Sequence, residues 1–304
     1  VTLSDEINMV SCQVAHTLFN VPTKMARVRH NAYLEPSWRE LFSRDHMPID
    51  VIISPEIEVV AAIDRLLEAP GAIDVIEFAD GKVSLVGMRL NQDCPIVNTP
   101  LRQLTELFPD LSITIVYIVR DDKAIFPRDM DQLLPGDEVY FVVDSDHVTR
   151  ARMIFGHEER PAKRVVIVGG GSIGFQLAQG LEAREPPINV KLIESKQSRA
   201  EFVADQLDRT TVICGDALDS EILEEAGVPT AETIIAVSDD DEVNILASVL
   251  AKRHGCMRAV ALINETTYAP LISPLGIDTA ISPRDITVSR ILEHIRRGRI
   301  HSVH

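Results

Sequence analysis

The chain has no run approaching the roughly 20 consecutive apolar residues that a membrane-spanning helix needs, and its start shows no basic-then-apolar export segment. A soluble, cytoplasmic protein is expected. Positive charge is also scarce: 30 Lys and Arg stand against 46 Asp and Glu, a formal net charge of -16. That field repels nucleic acid and anionic membrane surfaces, which excludes nonspecific attraction to either. Cysteines are few and scattered. Cys12, Cys94, Cys214 and Cys256 form neither a C-x-x-C nor any Cys/His metal spacing, and read as reduced structural thiols. Hydrophobic residues, in contrast, reach 45% against 25% charged, enough for a sizeable core and against disorder. At 304 residues, two or more domains are expected.

An internal repeat organises the chain. Ile49-Asp50-Val51-Ile52-Ile53-Ser54-Pro55 returns as Ile277-Asp278-Thr279-Ala280-Ile281-Ser282-Pro283. Each copy runs into a helix pattern with one apolar face, Val60, Ile63 and Leu67 in the first and Val288, Ile291 and Ile295 in the second. Ser54 and Ser282 stand where N-caps belong, and Pro55 and Pro283 stand where a first helical turn tolerates proline. Upstream, Ser4–Asn8 resembles Ser238–Asn244, and Ala26–Tyr33 resembles Ala261–Tyr268. The second copy carries a long segment before this shared stretch, beginning near Lys163. Residues 1–70 are therefore expected to be the C-terminal half of a domain whose first half the chain lacks.

Between the copies, residues 72–156 read as a small α+β module. Ile73–Phe78 and Val83–Met88 are extended stretches joined by Asp80-Gly81, a hairpin signal. Ile113–Val119 and Val139–Val143 read as buried strands, Leu134-Pro135-Gly136-Asp137 as a turn, and Asn98–Phe108 as a helix. The polar stretch His157–Ala162 reads as a linker.

The strongest chemical signal lies in residues 163–304. Arg164–Val168 is a short β-branched run leading into Gly169-Gly170-Gly171-Ser172-Ile173-Gly174, a G-x-G-x-x-G, and then a helix bearing Leu177 and Leu181. The first glycine permits the tight turn, the second lets backbone approach a pyrophosphate, and the third lets helix and strand pack closely. The helix N-terminus offers unpaired N–H groups to the anion. A second strand, Val190–Ile193, ends at Glu194, about 20 residues beyond the glycines, where a carboxylate accepts ribose hydroxyls and repels a 2′-phosphate. NAD(H) or an adenine nucleotide is expected in preference to NADP(H). Further strands, Thr210–Ile213 and Thr233–Val237, run into Asp216-Ala217 and Ser238-Asp239-Asp240-Asp241. Both loops fall at strand carboxyl ends, where open α/β sheets bind ligands. Asp216 reads equally as an N-cap, and Asp239–Asp241 equally as a charged first helical turn; no metal site is expected.

These motifs together resemble the TrkA family of Trk potassium-uptake regulators, over essentially the whole chain. The resemblance implies a Rossmann-like, doubly wound parallel sheet (the RCK or KTN fold) at 163–304, a partial second copy at 1–70 and an RCK C-terminal module at 72–156. It implies phosphate contacts at Gly169, Gly171, Ser172, Ile173 and Gly174, a ribose contact at Glu194, and Asp216 with Ala217 near the adenine. Ser238, Asp239 and Asn244 would border the far end of the ligand. An arginine is common at the end of the fifth strand in this family. Arg27 or Arg29 fits in the first copy, where the second has Leu262 and Asn264. The implied cofactor is NAD(H), with ATP or ADP as alternatives. The implied partners are a Trk-type potassium-translocating membrane subunit, docked on the inner face of the membrane, and further copies forming dimers within a ring. The repeated helices 55–68 and 283–297 read as packing surfaces or, equally, as intradomain core.

Two rival readings belong to other classes. An NAD-dependent oxidoreductase or epimerase needs a proton-transfer group beside the nicotinamide, and residues 163–304 offer only Tyr268 and His254, without Tyr-x-x-x-Lys. The basic tail Arg296–His301 suggests nucleic acid, but one short cluster on an acidic chain reads as a solvated helix end. Neither an enzyme nor a nucleic-acid partner is expected.

Overall fold

A computed structural model describes residues 2–297, apart from 3, 35–39, 44, 45, 80, 109–112, 122 and 158–160. Asp80, the middle of the 157–162 linker and the end of the basic tail lie outside the described residues. Two compact units emerge, 1–61 with 164–304 and 62–163.

The first unit opens with α1 (Asp5–Phe19), β1 (Met25–Arg27) and β2 (Val51–Ile53), and α2 (Pro55–Glu68) runs from the first unit into the second. β1 and β2 pair in parallel, Ala26 opposite Ile52. Ile63 and Leu67 of the α2 stripe are buried.

The second unit contains β3 (Ala72–Phe78), β4 (Val83–Arg89), α3 (Leu101–Leu107), β5 (Thr114–Arg120), β6 (Lys123–Ile125), β7 (Glu138–Asp144) and α4 (Val148–Ile154). Its strands form one antiparallel sheet in the order β3-β4-β7-β5-β6. The expected hairpin is β3–β4, with Gly81 at φ +80 supplying the positive dihedral its turn needs. The helix expected at 98–108 begins only at Leu101: Asn98 has φ 62, and Pro100 is extended at the cap. His157, expected in the linker, is buried, with Nε2 2.9 Å from the Arg89 carbonyl, so it belongs to this unit's fold.

The first unit resumes with β8 (Arg164–Val168), α5 (Ser172–Glu182), β9 (Asn189–Glu194), α6 (Gln197–Gln206), β10 (Thr211–Cys214), α7 (Ser220–Glu225), β11 (Thr233–Ala236), α8 (Asp241–Arg253), β12 (Arg258–Leu262), α9 (Ala269–Ile272), β13 (Thr279–Ile281) and α10 (Pro283–Arg297). Six parallel strands stand in the order β10-β9-β8-β11-β12-β13, the 3-2-1-4-5-6 arrangement of a doubly wound sheet. Helices cover both faces of such a sheet, so Val165–Val168 and Ile234–Ala236 are buried without alternation. Leu177 and Leu181 of α5 are buried too, each worth about 1.5–3 kcal/mol. The order reverses between β8 and β11, which opens a crevice at their carboxyl ends.

The repeat is reproduced in hydrogen bonding, with one change of register. Asn8 donates to the carbonyls of Thr2 and Arg27, as Asn244 does to those of Ser238 and Leu262. Asp5 accepts from the amides of Arg29 and His30, as Asp241 does from those of Asn264 and Glu265. Ser4 caps α1 as Asp240 caps α8, so Ser4 matches Asp240, and Thr2 takes the place of Ser238. Ser282 caps α10 through the Asp285 amide, but the Ser54 hydroxyl is buried without a partner, contrary to its expected capping role. α2 and α10 are joined by Arg290–Glu58 at 2.8 Å. Val288 of the second stripe is 47% exposed, and its counterpart on α2, Val60, is half-buried.

Glu232 fixes the start of β8 by accepting from the Arg164 amide at 2.6 Å and from its guanidinium at 2.7 Å. Burial pushes this carboxyl up, but the Arg164 bonds outweigh it, and the net pKa lies below the usual 4.5. A depressed folded pKa gives stability that is present above pH 4.5 and lost as pH falls through the folded value. Glu232→Gln should therefore lower the unfolding midpoint near pH 7 and flatten its fall below about pH 4.5, as read by thermal melts across pH.

Candidate functional site

The glycine turn follows β8 at the crevice. Gly169 has φ +100 and donates to the Ile193 carbonyl at 2.8 Å. A Cβ there would stand 2.9 Å from the Ser238 backbone, so the tight turn also brings the β11 loop against the β8 loop. Gly174 is the most constrained position: a Cβ would lie 2.0 Å from the Gly169 carbonyl oxygen. Gly171 precedes α5 with no side-chain cap, and a Cβ on it would meet no protein atom within 4 Å. The first-turn N–H groups of Ser172, Ile173 and Gly174 thus face forward at the positive end of the helix dipole.

Glu194 reaches this turn. Its Oε2 accepts from the Gly170 amide at 2.7 Å and its Oε1 from the Lys196 amide at 2.8 Å, and the residue is 8% exposed. Oε1 also accepts a longer bond from the Ser195 hydroxyl at 3.5 Å, and Oε2 keeps a second lone pair for a further hydroxyl donor. β10 adjoins β9 with Cys214 beside Glu194, which sets Asp216 and Ala217 on the same edge. Asp216 is exposed and turns its Oδ1 to the Leu218 amide at 2.9 Å. It is not the N-cap of α7, a role taken by Asp219. All four cysteines are free thiols; Cys214 is exposed, while Cys12, Cys94 and Cys256 are buried.

On the other side, Ser238 and Asp239 follow β11, but Asn244 does not face the crevice. It is fully buried, its Oδ1 accepting from the Ser238 amide and hydroxyl and its Nδ2 donating to the Ser238 and Leu262 carbonyls. With its whole amide engaged, it supports the loop and is not a ligand contact. Asp240 caps α8 and Asp241 stands in its first turn, as the charged-turn reading expects, but Asp241 is also buried and anchors the segment after β12. No cluster able to hold a metal occurs among the described residues.

Sequence reasoning missed Arg199. From α6 its Nε donates to the Gly170 carbonyl at 2.6 Å, and its guanidinium lies 4.8 Å from the Phe202 ring centroid and 5.7 Å from that of Phe175. The signal was an arginine in the first turn of the helix that follows the acid.

The two proton-transfer candidates are occupied elsewhere. The Tyr268 hydroxyl donates to Glu242, and that bond and charge push its pKa up, away from a usable base. His254 closes α8, with Nδ1 2.8 Å from the Leu250 carbonyl.

Comparison with known proteins agrees with this fold. The TrkA-N domain model matches residues 165–283 and the TrkA-C domain model residues 85–156. Trk system potassium uptake protein trkA homolog 1 of Methanosarcina mazei is 30% identical over 299 residues, 96% of this chain and 72% of its own length. The chain belongs to the TrkA family. Within that family, the Trk system potassium uptake protein TrkA of Azorhizobium caulinodans is 54% identical over all 304 residues, and the chain spans 66% of its length, just under two thirds. Among solved structures, the GsuK channel bound to NAD superposes with a TM-score of 0.64 at 20% identity, covering 97% of this chain and 51% of that one, a likeness of fold. The TrkA-N match runs from β8 to the start of α10, and the TrkA-C match falls wholly inside the antiparallel unit. No helix among the described residues is long and apolar enough to cross a membrane.

Proposed function

We propose that this TrkA-family chain is the nucleotide-binding regulatory part of a Trk-type potassium uptake system, acting on a potassium-translocating membrane subunit by binding and without turnover. The observation that carries the reading is the Glu194 carboxylate bonded to the Gly170 amide beside the uncapped start of α5. The residues fit a dinucleotide. Gly169 makes the tight turn against the Ser238 backbone, Gly171 leaves room for backbone approach, the amides of Ser172, Ile173 and Gly174 hold the diphosphate, and Glu194 takes the ribose hydroxyls. Asp216 and Ala217 border the adenine, and Ser238 and Asp239 the far end. NAD(H) is the proposed ligand, with ATP and ADP competing for the same phosphate and ribose groups. The NAD held by the GsuK channel supports this choice of ligand, and the relatives' names support the potassium-uptake reading.

In this reading 1–70 is part of a first KTN domain, 72–156 an RCK C-terminal module and 163–304 the nucleotide-binding domain. Copies pair into dimers within a ring on the inner face of the membrane. Nucleotide binding acts by favouring one arrangement of that assembly, which requires different affinities for the arrangements.

Calorimetry of the full chain with NADH, NAD, ATP and ADP tests the ligand. Glu194→Ala should weaken NADH binding about ten- to a hundredfold, the worth of hydrogen bonds to a charged group. Unchanged affinity in a variant that still melts cooperatively removes Glu194 from the site. Binding by no nucleotide at all refutes the sensing reading.

A further inference from the structure

Three consecutive glycines, Gly169 to Gly171, open the turn. Glycine moves readily between backbone regions, so the peptide planes inside this run can turn over at little steric cost. A reversed plane would present a carbonyl oxygen where an N–H should meet an anion. Something must therefore fix each plane. For the Gly169–Gly170 peptide that group is Glu194, which accepts from its N–H at 2.7 Å. For the Gly170–Gly171 peptide it is Arg199, which donates to its carbonyl at 2.6 Å. In a planar trans peptide the C=O and the following N–H point in opposite directions. An arginine that draws the Gly170 carbonyl toward α6 thereby aims the Gly171 N–H away from α6.

We propose that Arg199 is a positioning residue for the nucleotide site, holding the Gly170–Gly171 peptide in the one orientation that offers its N–H to a diphosphate. The guanidinium is suited to this because it is planar and already held against the Phe175 and Phe202 rings, so little further freedom is lost in making the bond. Glu194 and Arg199 are then two restraints on one short loop, and their losses do not add. This inference rests on the nucleotide reading for its effect on affinity, but its effect on the peptide stands without a ligand.

Two measurements on the full chain separate these. In calorimetry with NADH, Arg199→Met should weaken binding at least tenfold with little change in melting temperature, and Arg199→Lys, which keeps a cationic donor without the planar stack, should lose clearly less than Arg199→Met. A role limited to packing against the two rings predicts the reverse order, with Met the better substitute, and that order overturns the proposal. So does a Glu194→Gln, Arg199→Met double variant whose loss is the full product of the single losses. In nucleotide-free protein with its 15 glycines labelled with nitrogen-15, Arg199→Met should shift or broaden the Gly171 amide resonance while that of Gly136, in the other unit, stays in place. An unmoved Gly171 signal overturns the proposal even if NADH does not bind; failure of the parent to bind NADH, with Gly171 shifted as expected, refutes only the nucleotide reading.

Discussion

Gly174→Ala should abolish NADH binding and lower the melting temperature of the Rossmann-like unit. The added Cβ would sit 2.0 Å from the Gly169 carbonyl oxygen and 3.3 Å from the Ile167 side chain. The first neighbour is backbone, so no rotamer change relieves it. Gly169 cannot retreat either, since its amide is bonded to the Ile193 carbonyl and its other side lies against Ser238. Overpacking of this kind costs about 1–3 kcal/mol, and with backbone on both sides the upper end is expected, a fall of several degrees or more. Two neighbours serve as controls. Gly171→Ala meets no protein atom, so it should leave the melt unchanged but weaken NADH through the bulk it places in front of α5. Gly180→Ala, within α5 and equally open, should stabilise by about 0.5–1 kcal/mol with affinity unchanged. Circular-dichroism melts and calorimetry on the three variants test the scheme. A Gly174→Ala protein that melts and binds like the parent would refute the role given to the third glycine.

The parts of this structure that the sequence made legible are those where local chemistry leaves few choices. A β-branched run, three glycines, a helix pattern and then a strand ending in Glu194 can hardly be arranged except around one turn, and Glu194 indeed lies on Gly170. The repeat was legible for a similar reason: Asp5, Asn8 and Asp50 each perform the hydrogen bonding of Asp241, Asn244 and Asp278. What could not be read was direction. Ser238, Asp239 and Asn244 all appear as polar residues at a strand's carboxyl end, but only three-dimensional contact reveals that Asn244 turns inward and spends all its capacity on Ser238 and Leu262. Arg199 was missed because a long side chain acts far from its own backbone, and its target is a carbonyl, which every residue carries. The register error at Ser4 has the same origin. Matching serine to serine ignores that a cap can be serine in one copy and aspartate in the other, since either oxygen satisfies the same amide.

Asn244→Ala should be more damaging than its distance from the glycine turn suggests. The substitution leaves the Ser238 amide, the Ser238 carbonyl and the Leu262 carbonyl without their partner at a position with no solvent access. The Leu262 carbonyl is buried and the Ser238 groups are partly so; each buried group left unsatisfied costs about 1–3 kcal/mol, so a loss of about 2–3 kcal/mol is expected in denaturant titration. Asn244→Asp should be at least as harmful near neutral pH, because the carboxylate can still accept from Ser238 but sets an oxygen against the two carbonyls that Nδ2 had served. Burial raises the pKa of such a group, so acidification should recover part of the loss as the carboxyl gains a proton it can donate, a pH response opposite in sign to that expected for Glu232. Asn8→Ala removes the corresponding clamp in the first copy, where Thr2 is exposed and can bond to water, and its cost should be smaller. If Asn244→Ala unfolds at the same denaturant concentration as the parent and only its NADH affinity falls, Asn244 is a ligand contact and not a support.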